Sequence, residues 1–331
     1  MEINNLNEKI FIAGASGMVG SSIYRALKKN GYGNKKYGGE ILTPKRQELD
    51  LLNKSDVMNW FKKKNPSIVI ISAAKVGGIY ANSKSPADFL LENLKIQTNI
   101  IETAWKHNVK RLLFLGSSCI YPKNAEQPIK EESLLTGELE KTNQWYAIAK
   151  ISGIKLCQAL RFQYDFDAIC LMPTNLYGPG DNYHPTYSHV MASLIRKFYL
   201  ASKNKESSVT CWGTGKPLRE FLHVNDLGGA VVFALESWDP NLSNSPRDPE
   251  GNPLIFLNVG SGEDISIKEL AKKIADAFKF EGDIIWDHSK PDGTYKKLLN
   301  IDKFKKLGWK SEINLDIGIK QTIPELNKLL N

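Results

Sequence analysis

The chain has 331 residues, 42% of them hydrophobic, enough to bury the core of one large domain or two moderate ones. No run approaches the roughly 18 apolar residues of a membrane helix, and the polar start Met-Glu-Ile-Asn-Asn-Leu-Asn-Glu lacks a secretory pattern, so the expected location is the cytoplasm. The formal charge of +8 comes with no nucleic-acid motif, and Cys119, Cys157, Cys170 and Cys211 lack the spacing of a zinc site or disulfide framework.

Ile10-Phe11-Ile12-Ala13 reads as a buried strand, followed by a helix over 18–29. Between them lies Gly14-Ala15-Ser16-Gly17-Met18-Val19-Gly20. Its glycines allow a tight turn and close approach of the backbone to a pyrophosphate, whose charge a helix N-terminus favours. The spacing is GxxGxxG rather than the commoner GxGxxG, and a glycine turn alone can be purely structural. Its place after the first strand of an alternating α/β pattern marks it as a dinucleotide site. A second strand at 41–43 runs into Thr43-Pro44-Lys45-Arg46. A free ribose 2′-hydroxyl calls for an acid here and a 2′-phosphate for an arginine. Arg46 therefore predicts NADP(H) over NAD; the plainer reading is a surface cation.

A helix at 55–64, its end Lys62-Lys63-Lys64 a solvated run of charge, precedes an unbroken apolar strand at 67–72. The absence of alternation is expected where both sheet faces are covered. A long helix over 86–107, a strand at 111–115, a helix at 146–164 and a strand at 167–172 continue the pattern. The alternation predicts an α/β fold with a doubly wound parallel sheet of the Rossmann type. After Pro173, Gly, Pro and Tyr concentrate in 177–187, where a smaller α/β substrate-binding domain is expected to begin. The cofactor domain is expected to take 1–173 with part of 221–260, and the substrate domain 174–220 with 261–331. Residues 221–235 read as a helix and 255–259 as a strand returning to the sheet, with a polar surface loop at 237–253.

Tyr146-Ala147-Ile148-Ala149-Lys150 puts a phenol and an ammonium on one helix face. A phenol of ordinary pKa about 10 is a poor proton donor and acceptor at neutral pH, and a nearby ammonium favours its ionised form. Ser117, at the C-terminal end of a strand, adds a hydroxyl where such sheets place ligands. YxxxK alone is most often surface decoration. Joined to the glycine turn and to Gly116-Ser117-Ser118 it becomes specific.

These residues resemble the extended short-chain dehydrogenase/reductase family. Within it they are most similar to the bifunctional branch that epimerises GDP-4-keto-6-deoxy-D-mannose at C3 and C5 and reduces C4, giving GDP-L-fucose. The likeness runs from about Lys9 to about Lys310. It is carried by Ala73-Ala74-Lys75-Val76-Gly77-Gly78-Ile79, Leu115-Gly116-Ser117-Ser118-Cys119-Ile120-Tyr121-Pro122 and Pro173-Thr174-Asn175-Leu176-Tyr177-Gly178-Pro179. Ser188-His189-Val190, Trp212-Gly213-Thr214-Gly215, Arg219-Glu220-Phe221-Leu222-His223-Val224 and Lys290-Pro291-Asp292-Gly293-Thr294 extend it.

The resemblance implies that NADPH lies along the glycine turn, Arg46, Leu115, Gly116, Ser117 and Ser118, with Lys150, Pro173, Thr174, Asn175, Leu176 and His189 around it. It implies a GDP-sugar held by Trp212, Arg219 and Asp292, with Arg219 suited to the diphosphate. Ser16 stands where some relatives have Arg, and Lys197 where some have a substrate-binding Arg; at Lys197 a point charge replaces a bidentate fork. The resemblance also assigns Cys119 as the base and His189 as the acid of epimerisation. By residue type alone, Cys119 reads as a small buried side chain and His189 as a polar loop histidine. A homodimer pairing the helices at 86–107 and 146–164 into a four-helix bundle is implied as well. The rival readings are a related nucleotide-sugar 4-epimerase or 4-reductase, which has no need of Cys119 and His189, and a non-catalytic NADP-binding scaffold, which has no need of Ser117, Tyr146 and Lys150.

Overall fold

Four successive apolar residues, Ile10 to Ala13, are shielded on both faces of the first strand, β1 (Lys9–Ala13). The computed structural model describes residues 6–290 and 292–329; the polar stretch 1–5 and Pro291 of one matched segment lie outside the described residues. Elements then alternate as α1 (Met18–Lys29), β2 (Glu40–Leu42), α2 (Lys54–Lys64), β3 (Ile68–Ile71), α3 (Ile79–Lys84), α4 (Pro86–Lys106), β4 (Arg111–Leu115), α5 (Gln144–Tyr164) and β5 (Ala168–Pro173). There follow β6 (Asn175–Tyr177), α6 (Val190–Asn204), β7 (Ser208–Trp212), β8 (Leu218–His223), α7 (Val224–Ser237) and β9 (Phe256–Val259). The chain continues through β10 (Asp264–Ser266), α8 (Ile267–Ala277), β11 (Asp283–Asp287), β12 (Lys296–Lys297), α9 (Asp302–Lys306) and α10 (Leu315–Leu329).

The strands β2, β1, β3, β4, β5 and β9 lie side by side in that order, all parallel. Every residue of β3 and β4 is buried, because α1 packs with α7 over one side while α2 and α5 pack with α4 over the other. This is the expected doubly wound sheet. Strand order reverses at β1, between β2 and β3, and opens the crevice where such sheets bind ligands.

A separate apolar cluster joins Tyr177, Ile195, Phe198, Val209, Phe221, Ile274 and Ile319 from β6, α6, β7, β8, α8 and α10. At its margin β8 pairs with β10 antiparallel and with β12 and β6 in parallel. Leu299, Ile301, Phe304 and Trp309 pack instead with the core of the large sheet. Residues 221–223, expected to open a helix, complete β8. Phe221 and Leu222 find strand partners in Asn175 and Leu176, a distant pairing that periodicity does not reveal. His223 then caps α7, its Nδ1 accepting from the Asn225 N–H at 3.2 Å.

Candidate active site

The turn after β1 is built by two glycines that packing requires and one that it does not. Gly14 has φ +86°, and a Cβ there would lie 2.8 Å from the Ala73 backbone. A Cβ on Gly20 would lie 2.1 Å from the Gly14 carbonyl oxygen. At Gly17 the nearest atom would be the Gly14 carbonyl oxygen at 3.6 Å, an ordinary contact that leaves room for a side chain. Gly17 caps α1 without a side chain, and the first turn contains no acid. Met18, Val19 and Gly20 thus present helix N-terminal N–H groups with no intrahelical partner, beside exposed Ser16 and half-buried Ala15. The positive end of α1 and a Cβ-free approach fit a pyrophosphate. Arg46 is exposed beyond β2, where Glu48 accepts from the Lys45 N–H at 2.8 Å.

Past β4 the chain runs flush against β5, since a Cβ on Gly116 would strike the Met172 sulfur at 2.3 Å. Ser118 is buried, and the Ser117 Oγ accepts from the Cys119 N–H at 3.3 Å, capping a short 3₁₀ turn. Helix α5 begins at Gln144, which puts Tyr146 and Lys150 in its first two turns. The Ser117 hydroxyl meets the Tyr146 phenol. Lys150 is buried, donates to the Leu115 carbonyl at 2.7 Å, and lies 4.7 Å from the Phe114 ring and 5.8 Å from that of Tyr146. Ser117, Tyr146 and Lys150 therefore converge at the end of β4.

Burial pushes the Lys150 ammonium down to about 7. Burial also pushes the Tyr146 phenol up, with negative charge on Cys119 adding to the rise and the Ser117 hydrogen bond opposing it. The expected lowering of the phenol by Lys150 is not what the protein alone displays: loss of water dominates, and only the Ser117 hydrogen bond acts to lower it. Tyr146 consequently keeps its proton at neutral pH, the state required of a donor. Half-exposed Cys119 lies in the same cluster, its sulfur accepting from Asn143 Nδ2 at 3.4 Å and Lys297 Nζ at 3.7 Å. Neither donor stands out in the sequence.

His189 caps α6 and keeps an exposed edge, while desolvation by the protein around it pushes its imidazole below the ordinary value. Its segment docks on the loop after β3: the Gly78 N–H donates to the Tyr187 carbonyl at 3.4 Å, and a Cβ on Gly78 would lie 2.9 Å from the Ser188 carbonyl oxygen. That loop is held by α4, where Asn93 accepts from the Lys75 N–H at 2.9 Å and Glu92 pairs with Lys75 Nζ at 2.6 Å. Pro173 ends β5, and the Thr174 N–H donates to the Val259 carbonyl at 3.0 Å. Asn175 Nδ2 donates to the Glu220 carbonyl at 2.8 Å, and Leu176 is half-buried beside it.

Trp212 ends β7 with 62% of its surface exposed, and the ammonium groups of Lys197 and Lys290 lie 5.8 and 5.6 Å from its ring. Lys197 also donates to the Thr210 carbonyl at 2.7 Å. Arg219, half-buried on β8, donates to the Leu218 carbonyl at 2.8 Å. The Asp292 carboxylate is engaged by the Thr214 N–H at 2.9 Å and hydroxyl at 2.7 Å, bonds that hold it below the ordinary carboxylate range. Asp292 thus shapes the loop after Trp212. Among the described residues no His, Cys, Asp or Glu cluster could hold a metal ion.

Residues 10–245 match the NAD dependent epimerase/dehydratase family. The chain belongs to that family. It is 49% identical to GDP-L-fucose synthase 1 of Arabidopsis thaliana over 97% of this chain and 94% of the relative. It is 46% identical to GDP-L-fucose synthase of Escherichia coli strain K12, over 95% of each. A structure of a GDP-D-glycero-L-gluco-heptose synthase from Campylobacter jejuni in the presence of NADPH superposes with a TM-score of 0.88 at 33% identity, covering 97% of this chain and 99% of the other. The family uses a nicotinamide cofactor, and the glycine turn offers the Cβ-poor approach to a helix N-terminus that its pyrophosphate requires. Asn143 and Lys297, which the sequence reading missed, acquire significance once they face Cys119 in space.

Proposed function

We propose that the chain converts GDP-4-keto-6-deoxy-D-mannose to GDP-L-fucose with NADPH as the reductant. One observation carries the reading: a half-exposed thiol, Cys119, shares the end of β4 with Ser117, Tyr146 and Lys150. A C4 ketone acidifies the C–H bonds at C3 and C5. Cys119 takes the proton, and the C–H electron pair passes into an enolate whose oxygen the Tyr146 and Ser117 hydroxyls hold. His189 returns a proton on the opposite face. A reduced nicotinamide, when bound, supplies hydride to C4. Tyr146 then gives its proton to the C4 oxygen, Ser117 orients the carbonyl, and Lys150 ties the helix carrying Tyr146 to the Leu115 carbonyl. Arg219 takes the diphosphate, and Trp212, Lys197 and Asp292 bound the nucleotide end.

Exposed Arg46 supports NADPH over NADH, as does the NADPH used with the Campylobacter relative. The four free cysteines suit the reducing cytoplasm, and no described helix is long and apolar enough to cross a membrane. The second apolar cluster supports assigning the substrate to 174–220 with part of 261–331, since Leu299, Ile301, Phe304 and Trp309 pack with the large sheet instead. A homodimer through α4 and α5 is supported by an exposed stripe on α5, Trp145, Ile148, Ser152, Lys155, Ala159 and Phe162, at alternating spacings of three and four.

The test is to incubate the protein with NADPH and GDP-4-keto-6-deoxy-D-mannose in deuterated water and read the product by NMR. Deuterium should appear at C3 and C5, and C4 should carry hydrogen from NADPH. A 4-reduced sugar with no label at C3 or C5 would favour a simple 4-reductase and leave Cys119 without a role.

A further inference from the structure

Two N–H donors converge on the Cys119 sulfur, and the reaction just described uses neither. Asn143 is the N-cap of α5, a position where asparagine normally accepts from the helix's own N–H groups. Here its side chain makes no capping bond, its Nδ2 points at the sulfur at 3.4 Å, and its Oδ1 is buried without a partner. An amide placed for local stability would have satisfied that oxygen.

Lys297 comes from the other side, on a strand of two residues that is firmly held. It lies in register with Arg219 of β8. The Leu298 N–H donates to Gln127 Oε1 at 2.8 Å, the Leu298 carbonyl accepts from the Ile129 N–H at 2.8 Å, and the Leu299 N–H donates to buried Glu220 at 3.1 Å. No carboxylate pairs with Lys297 among the described residues; its ammonium lies 3.7 Å from the sulfur. Among the described residues, the titratable groups that face Cys119 are Lys297 from β12 and Tyr146 from α5.

We propose that Lys297, with Asn143, is a positioning residue for Cys119, supplying the counter-charge and fixed geometry with which the sulfur accepts a proton. A bond from an ammonium or amide N–H strengthens when its acceptor carries full charge. The sulfur is anionic before it takes the C3 or C5 proton and neutral afterwards, when the electron pair has moved into the enolate. The inference rests on the reading of Cys119 as the epimerisation base.

Two measurements on the full chain test it. In the first, NADP+ replaces NADPH so that reduction stops, and NMR follows entry of solvent deuterium at C3 and C5 of GDP-4-keto-6-deoxy-D-mannose. Lys297→Met should slow exchange by about 10- to 100-fold, the range of one charge-assisted hydrogen bond, and shift its pH profile upward. Lys297→Arg should restore most of the rate, and Asn143→Leu should give a smaller loss, with NADPH binding by fluorescence unchanged throughout. The second measurement needs no substrate: iodoacetamide alkylation of Cys119, followed by mass spectrometry, should be slower at pH 7 in Lys297→Met. Exchange and alkylation that match the unmodified protein in Lys297→Met overturn the proposal. If the unmodified protein shows no exchange, the base assignment falls with it; slowed alkylation would still uphold the cradle. Should Lys297→Met fail to fold, Lys297→Arg and Asn143→Leu carry the same comparison, and parental behaviour in Asn143→Leu with loss in Lys297→Arg would overturn it.

Discussion

At the residue scale, burial acts on Tyr146 and Lys150 in the same direction chemically, disfavouring charge on both. The phenol stays protonated and ready to donate. Tyr146→Phe keeps the ring and removes the donor, so it should bind NADPH normally and lose about 10²- to 10⁴-fold in hydride transfer, read by NADPH oxidation. Near-parental turnover would exclude Tyr146 as the acid. For Lys150 the folded value of about 7 lies below the ordinary 10.5, so between those values the unfolded chain holds the extra proton and stability rises with pH. Lys150→Met lacks that rise. Its stability relative to the parent should therefore fall from pH 7 to 10, by at most about 1.4 kcal/mol per pH unit, in denaturant melts at each pH. A difference independent of pH would mean that Lys150 is not desolvated as described. Arg46→Ala should weaken NADPH binding by about 10- to 100-fold while leaving NADH unaffected, on the scale of one charge-assisted contact. Equal use of NADPH and NADH by the unmodified protein would remove the basis for that role.

At the scale of an element, the glycine turn separates folding from binding. The Cβ of Gly20→Ala would fall on backbone atoms of Gly14 and Ala15, which yield only if the turn opens. A loss of about 1–3 kcal/mol is expected in a urea melt, with cofactor binding lost alongside. Gly17 has φ −78° and only an ordinary van der Waals contact at its Cβ position, so Gly17→Ala should melt within about 2 °C of the parent. The new methyl group would occupy the approach to the α1 N–H groups, and NADPH affinity should still drop about tenfold or more. A stable Gly17→Ala variant with undiminished affinity would place the pyrophosphate elsewhere. Sequence spacing identifies all three glycines alike. Which of them serves the fold and which the ligand depends on how near Ala73 and the Gly14 carbonyl come, and that is a property of the packed turn.

At the scale of the whole molecule, α5 faces two ways. Its inner face carries Tyr146 and Lys150 toward the end of β4, and its outer stripe ends in Phe162, 96% exposed. A large apolar side chain so open to water on a helix with coiled-coil spacing supports a subunit contact. Phe162→Glu should convert a dimer to a monomer in sedimentation velocity at micromolar concentration, without loss of NADPH binding. A monomeric parent would sink the pairing of α4 and α5.

The sequence by itself determined the doubly wound sheet, the glycine turn and the Ser117, Tyr146 and Lys150 set, because each is a local pattern: covered strands lose alternation, a phosphate turn needs glycines at fixed offsets, and a helix brings residues four apart together. His189 and Cys119 entered through likeness to a family, since a lone histidine or cysteine carries no pattern of its own. The tertiary structure alone decided the rest. Residues 221–223 became strand because β6 lies alongside them. The Asp292 carboxylate was drawn to Thr214, and Asn143 and Lys297 were brought to the Cys119 sulfur from positions 24 and 178 residues away. Contacts at such separations are made by the folded sheet, and no spacing rule along the chain encodes them. The same holds for the charge states of Tyr146 and Lys150, which depend on how much water the fold excludes around them.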